Sequence, residues 1–350
     1  MTENAGERKQ DLSSDAEIHA ILRLFPVSPR QTFQARYSEA ETQIGRHFDG
    51  DSSFLLKLIK AAVEADLHDT PLIEDTVSFL DHEDLIRLSF LLLGRAKRGS
   101  NVESLISKAA LQAPELFPES LLREEYDFRD WWTHADPLRP PPCEHIIFEN
   151  GPPPGPPFIA RQKHPTWHLP TTGGELRMGG EGSAMCPTCR QTLVHLITLE
   201  NVPVGMGSPL PQLRLETCPN SLGPTFYSHD ADGRPTPIEP AHPQGFDDII
   251  VPLRETMVRL ARTPDRWLRQ SWGNSNSREN LFKVGGLPSW IQSPEIPCVP
   301  GTDRQMDFLL QVDSELQSVQ GSDVLWGSGG LLYVFWDSQT RISCHLPQFT

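Results

Sequence analysis

The run Leu331-Leu-Tyr-Val-Phe-Trp336 constrains the fold more than any other stretch of the chain. Its residues are all apolar, several of them aromatic or β-branched, so no polar face is left for solvent. The run is too short for a buried helix and suits a central strand covered on both sides. Such a strand needs partners, and the chain offers them. Met306-Asp-Phe-Leu-Leu-Gln-Val-Asp313 sets Met306, Phe308, Leu310 and Val312 against Asp307, Leu309, Gln311 and Asp313, the alternation of a half-buried strand. Residues 193–199 place Leu193, His195, Ile197 and Leu199 on one face, with His195 read as a core histidine, and residues 212–217 predict a further strand. Residues 246–268 instead carry Ile249, Leu253, Met257 and Leu260 at helical spacing and predict a helix.

The chain before about residue 132 has a different texture. Ile18, Ile21, Leu22 and Phe25, then Leu55, Leu58, Ile59, Ala62 and Val63, then Leu85, Leu88 and Leu92 form apolar stripes at helical spacing. Asp81 is placed to cap the third of these helices and Gly94 to end it; residues 102–113 and 121–132 predict two more. Two proline-rich stretches, Arg139-Pro-Pro-Pro-Cys143 and Gly151-Pro-Pro-Pro-Gly-Pro-Pro157, follow the change in texture. The expected fold class is α+β. A polar tail over 1–14 precedes a helical domain over 15–135, and a β-rich, mainly antiparallel domain occupies 136–350. A recurring order of Gly-Gly, Cys, strand, aromatic strand and Asp suggests an internal duplication, with halves at 140–240 and 270–350.

Charge and cysteine usage limit the function. The formal net charge is -15, so most of the surface repels phosphates and anionic lipid heads, and neither nucleic acid nor a membrane surface is expected as a partner. No stretch reaches the roughly 18 consecutive apolar residues of a membrane-spanning helix. The polar Met1-Thr-Glu-Asn-Ala-Gly-Glu-Arg-Lys-Gln10 has no apolar leader segment, and Cys 6 in 350 residues is too sparse for a disulfide scaffold. Together these point to a cytoplasmic, reducing setting in which thiols bind metal or lie buried.

Cys186-Pro-Thr-Cys189 is the strongest chemical signal. Two thiolates at this spacing occupy one edge of a tetrahedral Zn²⁺, and two further ligands must come from elsewhere. Cys218 is the expected third, and Cys143 or His145 the expected fourth. Cys218-Pro-Asn-Ser221 repeats the spacing but ends in serine, a poor zinc ligand. A thioredoxin-like use of Cys186 and Cys189 would want a helix after the motif, whereas a strand follows. Asp230-Ala-Asp232-Gly233 predicts a turn rather than a calcium loop, because Arg234 and Pro235 stand where oxygen ligands would be needed. The glycines at 327, 329 and 330 lead into a strand, not a helix, which argues against a phosphate loop. No Gly-x-Ser-x-Gly elbow, His-Glu-x-x-His or Walker loop is present, so no catalytic residues are assigned.

Three blocks carry a resemblance. Val284-Gly-Gly-Leu-Pro-Ser-Trp-Ile-Gln292, Phe308-Leu-Leu-Gln-Val-Asp-Ser314 and Leu325-Trp-Gly-Ser-Gly-Gly-Leu-Leu-Tyr-Val-Phe-Trp336 resemble, in that order, the YwqG-like family of bacterial proteins. The likeness covers about residues 280–350 directly, and 140–350 if the first half is the partner repeat. It implies a β-rich duplicated fold with no activity common to the family; some members are suspected immunity proteins. A more distant likeness, to the programmed-cell-death-two-like proteins, implies a chaperone of a nascent ribosomal protein. Members often carry Cys-x-x-Cys in both halves, and here the second half offers only Cys298. The resulting expectation is a non-enzymatic protein-binding protein, an immunity factor or protein-specific chaperone, with a structural zinc and a basic partner. Trp290, Gln292, Gln311, Asp313 and Trp326 are the candidate ligand or partner surface. The alternative is an enzyme or small-ligand binder whose pocket lies between the repeat halves.

Overall fold

The computed structural model describes residues 14–25, 30–67, 71–96, 102–118, 140–202, 209–238, 249–275, 277–314, 316–324 and 326–350. The helix expected at 121–132 lies outside them. The chain divides into two compact units. The helical one takes Met1–Phe128 together with Pro156–Pro165 and Asn274–Glu279, two short segments that the sequence placed in the β-rich region.

In the helical unit, α1 covers residues 14–22 and is followed by α2 (Arg30–Gly45), α3 (Ser52–Glu64), α4 (Pro71–Val77), α5 (His82–Ala96) and α6 (Glu103–Gln112). The apolar stripes do what their spacing predicts. Leu55, Leu58, Ile59 and Ala62 of α3 are fully buried with Leu88 and Leu92 of α5 and Leu105 of α6. Asp81 caps α5, accepting the Asp84 N–H at 2.8 Å. Gly94 does not end that helix, which continues to Ala96. A short helix, α7 (Ile159–Lys163), belongs to this unit as well, and Glu41 accepts the Ile159 N–H at 2.8 Å. The segment 274–279 brings in charge. Glu279 pairs with the buried Lys108, and Arg278 lies 2.9 Å from the buried Asp75. Burial pushes the Asp75 carboxyl up to about 6, against the pull of Arg278 and Lys108.

The β unit is one 11-stranded sheet in which every neighbouring pair is antiparallel. Its strands are β1 (Cys143–Phe148), β2 (Thr172–Met185), β3 (Thr192–Val202), β4 (Leu210–Thr217), β5 (Thr225–His229), β6 (Pro235–Pro237), β7 (Leu253–Arg262), β8 (Lys283–Gly285), β9 (Asp307–Asp313), β12 (Gly330–Asp337) and β13 (Ile342–Phe349). β10 (Leu316–Gln317) and β11 (Asp323–Val324) form a separate ribbon, and a short helix, α8, spans Trp272–Ser275. The sheet order is β4-β3-β2-β7-β1-β8-β9-β12-β13-β5-β6. Its ends curl toward each other into a nearly closed barrel, and the Arg214 N–H of β4 donates to the Gly233 carbonyl beside β6 at 3.0 Å. That contact depends on glycine: Gly233 has φ +73°, and a Cβ there would lie 1.9 Å from the Gln212 oxygen.

The central-strand expectation for 331–336 holds, and its cause is now visible. Leu332, Val334 and Trp336 face the barrel's interior core with Ile146, Val194, Leu213, Val258 and Leu310. Leu331, Tyr333 and Phe335 face outward and are covered by Trp290, Val299 and Met306. The Tyr333 hydroxyl donates to the Ser289 carbonyl at 2.8 Å and accepts the Ile291 N–H at 3.2 Å, pinning this cover to the sheet.

Two expectations are corrected. Residues 253–262 form strand β7, not a helix, because β2 and β1 pair with it on either side. The spacing of Leu253, Met257 and Leu260 misled: Leu253, Val258 and Ala261 are the buried set, and Met257 is exposed. The alternation along 306–313 also breaks. The register with β12 shifts between Val334 and Phe335, so Met306 and Phe308 join the outer cover while Leu310 and Val312 enter the interior. β5, expected in the first repeat half, pairs with β13 from the second.

Candidate metal centre

The turn joining β2 to β3 carries Cys186-Pro-Thr-Cys189. It is closed by two backbone bonds, Cys186 N–H to Gln191 oxygen at 2.9 Å and Arg190 N–H to Cys186 oxygen at 3.0 Å. Arg190 takes φ +60°, which turns the chain sharply enough for both sulfurs to point to one side. Cys218 follows directly after β4, the neighbour of β3. The Sγ atoms of Cys186, Cys189 and Cys218 all lie within 4.8 Å of one another, with Cys189 and Cys218 3.7 Å apart. Thus the sheet brings together three of the residues singled out by the sequence.

The three sulfurs stand close enough to share one metal ion. Cys186 and Cys218 are buried, in a small apolar cluster with Leu193 and Tyr227. A hydrogen bond with the Cys186 thiol, then burial, pushes the Cys218 thiol far above its ordinary range, and burial pushes Cys189 up as well. A divalent cation would reverse that sense, because thiolates bound to metal are deprotonated outright. The sulfurs are also supplied with N–H donors: Gln191 donates to Cys189 and Asn220 to Cys218.

A buried carboxylate fixes how far apart the two arms stand. β2 carries a bulge between Glu181 and Met185, just before the cysteine turn. Glu216, two residues before Cys218, accepts the Ser183 and Ala184 N–H groups at 2.7 and 3.1 Å and the Ser183 hydroxyl at 2.8 Å, and pairs with Arg214. It ties the strand bearing Cys186 to the strand bearing Cys218. Nothing in the sequence marked Glu216, since an acidic residue alternating along a strand looks like a solvated face.

Cys143 and His145 do not join the centre. Both stand on β1, separated from β4 in the sheet order by β7, β2 and β3. Both ring nitrogens of His145 are engaged, Nδ1 with Thr263 Oγ1 at 2.7 Å and Nε2 with Gln270 Oε1 at 3.1 Å. Cys143 is buried against Gly286, where a Cβ would lie 2.9 Å from its sulfur. The Gly285-Gly286 doublet, both with positive φ, therefore lets the loop pass over a packed thiol. His195 is a satisfied core histidine, with Nδ1 2.6 Å from Gly179 oxygen and Nε2 2.9 Å from Thr198 Oγ1.

The expected ligand surface is also corrected. Trp290, Gln311 and Trp326 are buried. Gln311 accepts the Ser289 N–H at 2.8 Å and donates to the Leu281 carbonyl at 2.9 Å; Trp326 Nε1 donates to the Asp313 carbonyl at 3.2 Å. Gln292 is exposed yet bonded to the Phe349 carbonyl at 2.6 Å, and the Asp313 carboxylate accepts the Ser314 N–H at 2.8 Å. These residues fasten the cover over β12 instead of lining a cleft. A cavity of about 380 Å³ opens elsewhere in the β unit, lined by Leu176, Leu199, Leu260, Val284 and Leu309 with the carboxylates Glu144 and Glu200.

No family model, curated protein or solved structure matches the chain. The YwqG-like likeness therefore rests on the three sequence blocks alone. Among the described residues, no helix is long and apolar enough to cross a membrane.

Proposed function

We propose that this chain is a cytoplasmic protein-binding scaffold whose curled sheet is braced by a structural zinc at Cys186, Cys189 and Cys218. The observation that carries this reading is the convergence of three thiols from two separate strand connections. Metal there would hold the β2–β3 turn against the end of β4, where backbone pairing stops. The contact function draws on the same end of the sheet. Met185 is 59% exposed beside Cys186, and Ile249 is 85% exposed next to Ile250, whose N–H donates to the Gln191 side chain at 2.7 Å. Large apolar side chains left in solvent beside a rigid turn suit a protein partner. The net charge of -15 favours a basic one, by speeding encounter. An immunity factor holding a toxin and a chaperone holding one client share this chemistry. The repeat suggested by the two Gly-Gly doublets is part of the reading.

The test pairs elemental analysis with capture from native lysate. The expected results are one zinc per chain and a stoichiometric basic partner that the Met185→Glu, Ile249→Glu double variant no longer retains. A zinc-free protein would remove the brace, and a wild-type chain that captures no stoichiometric partner would remove the scaffold role.

The cavity favours a second reading, a small-ligand binder. Apolar walls with two carboxylates suit an amphipathic cation. Thermal shifts with alkylamines that Glu144→Gln abolishes would favour it over the scaffold.

A further inference from the structure

Three thiolates leave one position of a tetrahedral zinc to be filled, and the local fold indicates what stands there. Cys186-Pro-Thr-Cys189 and Cys218-Pro-Asn-Ser221 share one pattern, Cys-Pro-x-Cys against Cys-Pro-x-Ser, so that the last sulfur is replaced by oxygen. Each follows the end of a strand, β2 in the first case and β4 in the second. Each folds back on its first cysteine, the first motif through a wider turn, Arg190 N–H to Cys186 oxygen at 3.0 Å, and the second through a β-turn, Ser221 N–H to Cys218 oxygen at 3.1 Å. A backbone N–H donates to one sulfur of each motif, Gln191 to Cys189, the last residue of the first, and Asn220 to Cys218, the first residue of the second. A β-turn brings its first and fourth Cα atoms within about 7 Å, so Ser221 is folded back toward Cys218, at the place in the sequence motif that Cys189 takes in the first. Ser221 is buried, and its hydroxyl donates to the Gly223 carbonyl at 2.8 Å. The proton is thereby directed away, and the oxygen lone pairs stay available to accept or coordinate.

We propose that the fourth corner of the centre belongs to residue 221 and is held by oxygen from the Ser221 side chain, giving a three-thiolate, one-oxygen site. The proposal rests on the metal reading above. It has a chemical consequence: the oxygen corner is the weakest of the four for a soft-leaning cation, so it is where an incoming thiolate would enter.

Cobalt(II) titration of the full chain, with wild type, Ser221→Cys, Leu222→Cys and Ser221→Ala, tests this. Wild type should show charge-transfer absorption of three thiolates. Ser221→Cys should raise that intensity by about a third, the step from three to four sulfurs, and should retain metal longer against a chelator. Leu222→Cys, one position away, should leave the intensity unchanged. Ser221→Ala should keep the wild-type intensity but lose metal faster to the chelator, which covers the case of a cysteine variant that does not fold. An unchanged intensity in Ser221→Cys, an equal rise in Leu222→Cys, or unaltered retention in Ser221→Ala would overturn the assignment of residue 221 while leaving the three-thiol site intact. Absence of any thiolate-to-cobalt band in wild type would instead defeat the metal reading, and this assignment with it.

Discussion

Replacing Gly233 with alanine tests whether the sheet closes on itself. Gly233 sits at φ +73°, and its carbonyl accepts the Arg214 N–H of β4 at 3.0 Å. The added methyl would lie 1.9 Å from the Gln212 oxygen and 2.8 Å from its carbonyl carbon. The left-handed conformation alone costs an alanine about 1–2 kcal/mol. The clash adds more, because its partner is backbone and cannot swing aside. β4 has to retreat, giving up a hydrogen bond worth about 1 kcal/mol net and straining the interior around Leu213 by roughly 1–3 kcal/mol, the usual range for overpacking. The sum is about 3–6 kcal/mol, a large part of an ordinary domain's stability. Gly151 supplies the control, with φ +81° and nothing within 4 Å of its would-be Cβ. Gly151→Ala carries the conformational cost alone. Urea unfolding followed by tryptophan fluorescence reads the β unit, which among the described residues holds Trp167, Trp267, Trp272, Trp290, Trp326 and Trp336. The expected result is a loss at Gly233→Ala at least about 2 kcal/mol greater than at Gly151→Ala. Equal losses would refute the closure, since Gly233 would then have no strand backbone beside it.

Other outcomes follow from the buried charges. Lys108→Met should destabilise the helical unit by about 3–5 kcal/mol, because it leaves Glu279 buried without its cation; a midpoint of helix unfolding by circular dichroism equal to wild type would contradict this. His229 and His345 are held neutral by burial, with pKa values lowered to about 4 and about 3 from 6.5. The unfolded chain therefore takes up protons that the folded chain refuses, and stability should fall as pH drops from about 6.5 toward 4, by up to about 1.4 kcal/mol per pH unit for each histidine. His345→Leu should flatten the slope of urea midpoint against pH over that interval; an unchanged slope would show that the histidine is not the cause.

Much of the architecture was legible because it depends on local pattern. The stripes at Leu55, Leu58 and Ile59 and at Leu85, Leu88 and Leu92, the Asp81 cap and the doubly covered run 331–336 are all set by residues close together in the chain. The spacing of Cys186 and Cys189 marked a candidate metal turn for the same reason, since two ligands three residues apart can share a metal through a single turn. Cys218 was named as their partner from its place after a strand, and the pairing of β3 with β4 brings it there.

The rest was decided by neighbours distant in sequence. Leu253, Met257 and Leu260 fit a helix equally well until β1 and β2 capture the backbone of β7. Gln311 looked solvent-facing because nothing nearby in the chain announces that Ser289 and Leu281 fold over it. Cys143 and His145 looked like available ligands, but three strands intervene, and Thr263 and Gln270 already hold the imidazole. Glu216 carried no sign that it clasps the β2 bulge, and Gly233 none that β4 passes 1.9 Å from where its side chain would begin. Periodicity and spacing act over a few residues, whereas a sheet joins backbones that sequence alone cannot bring side by side.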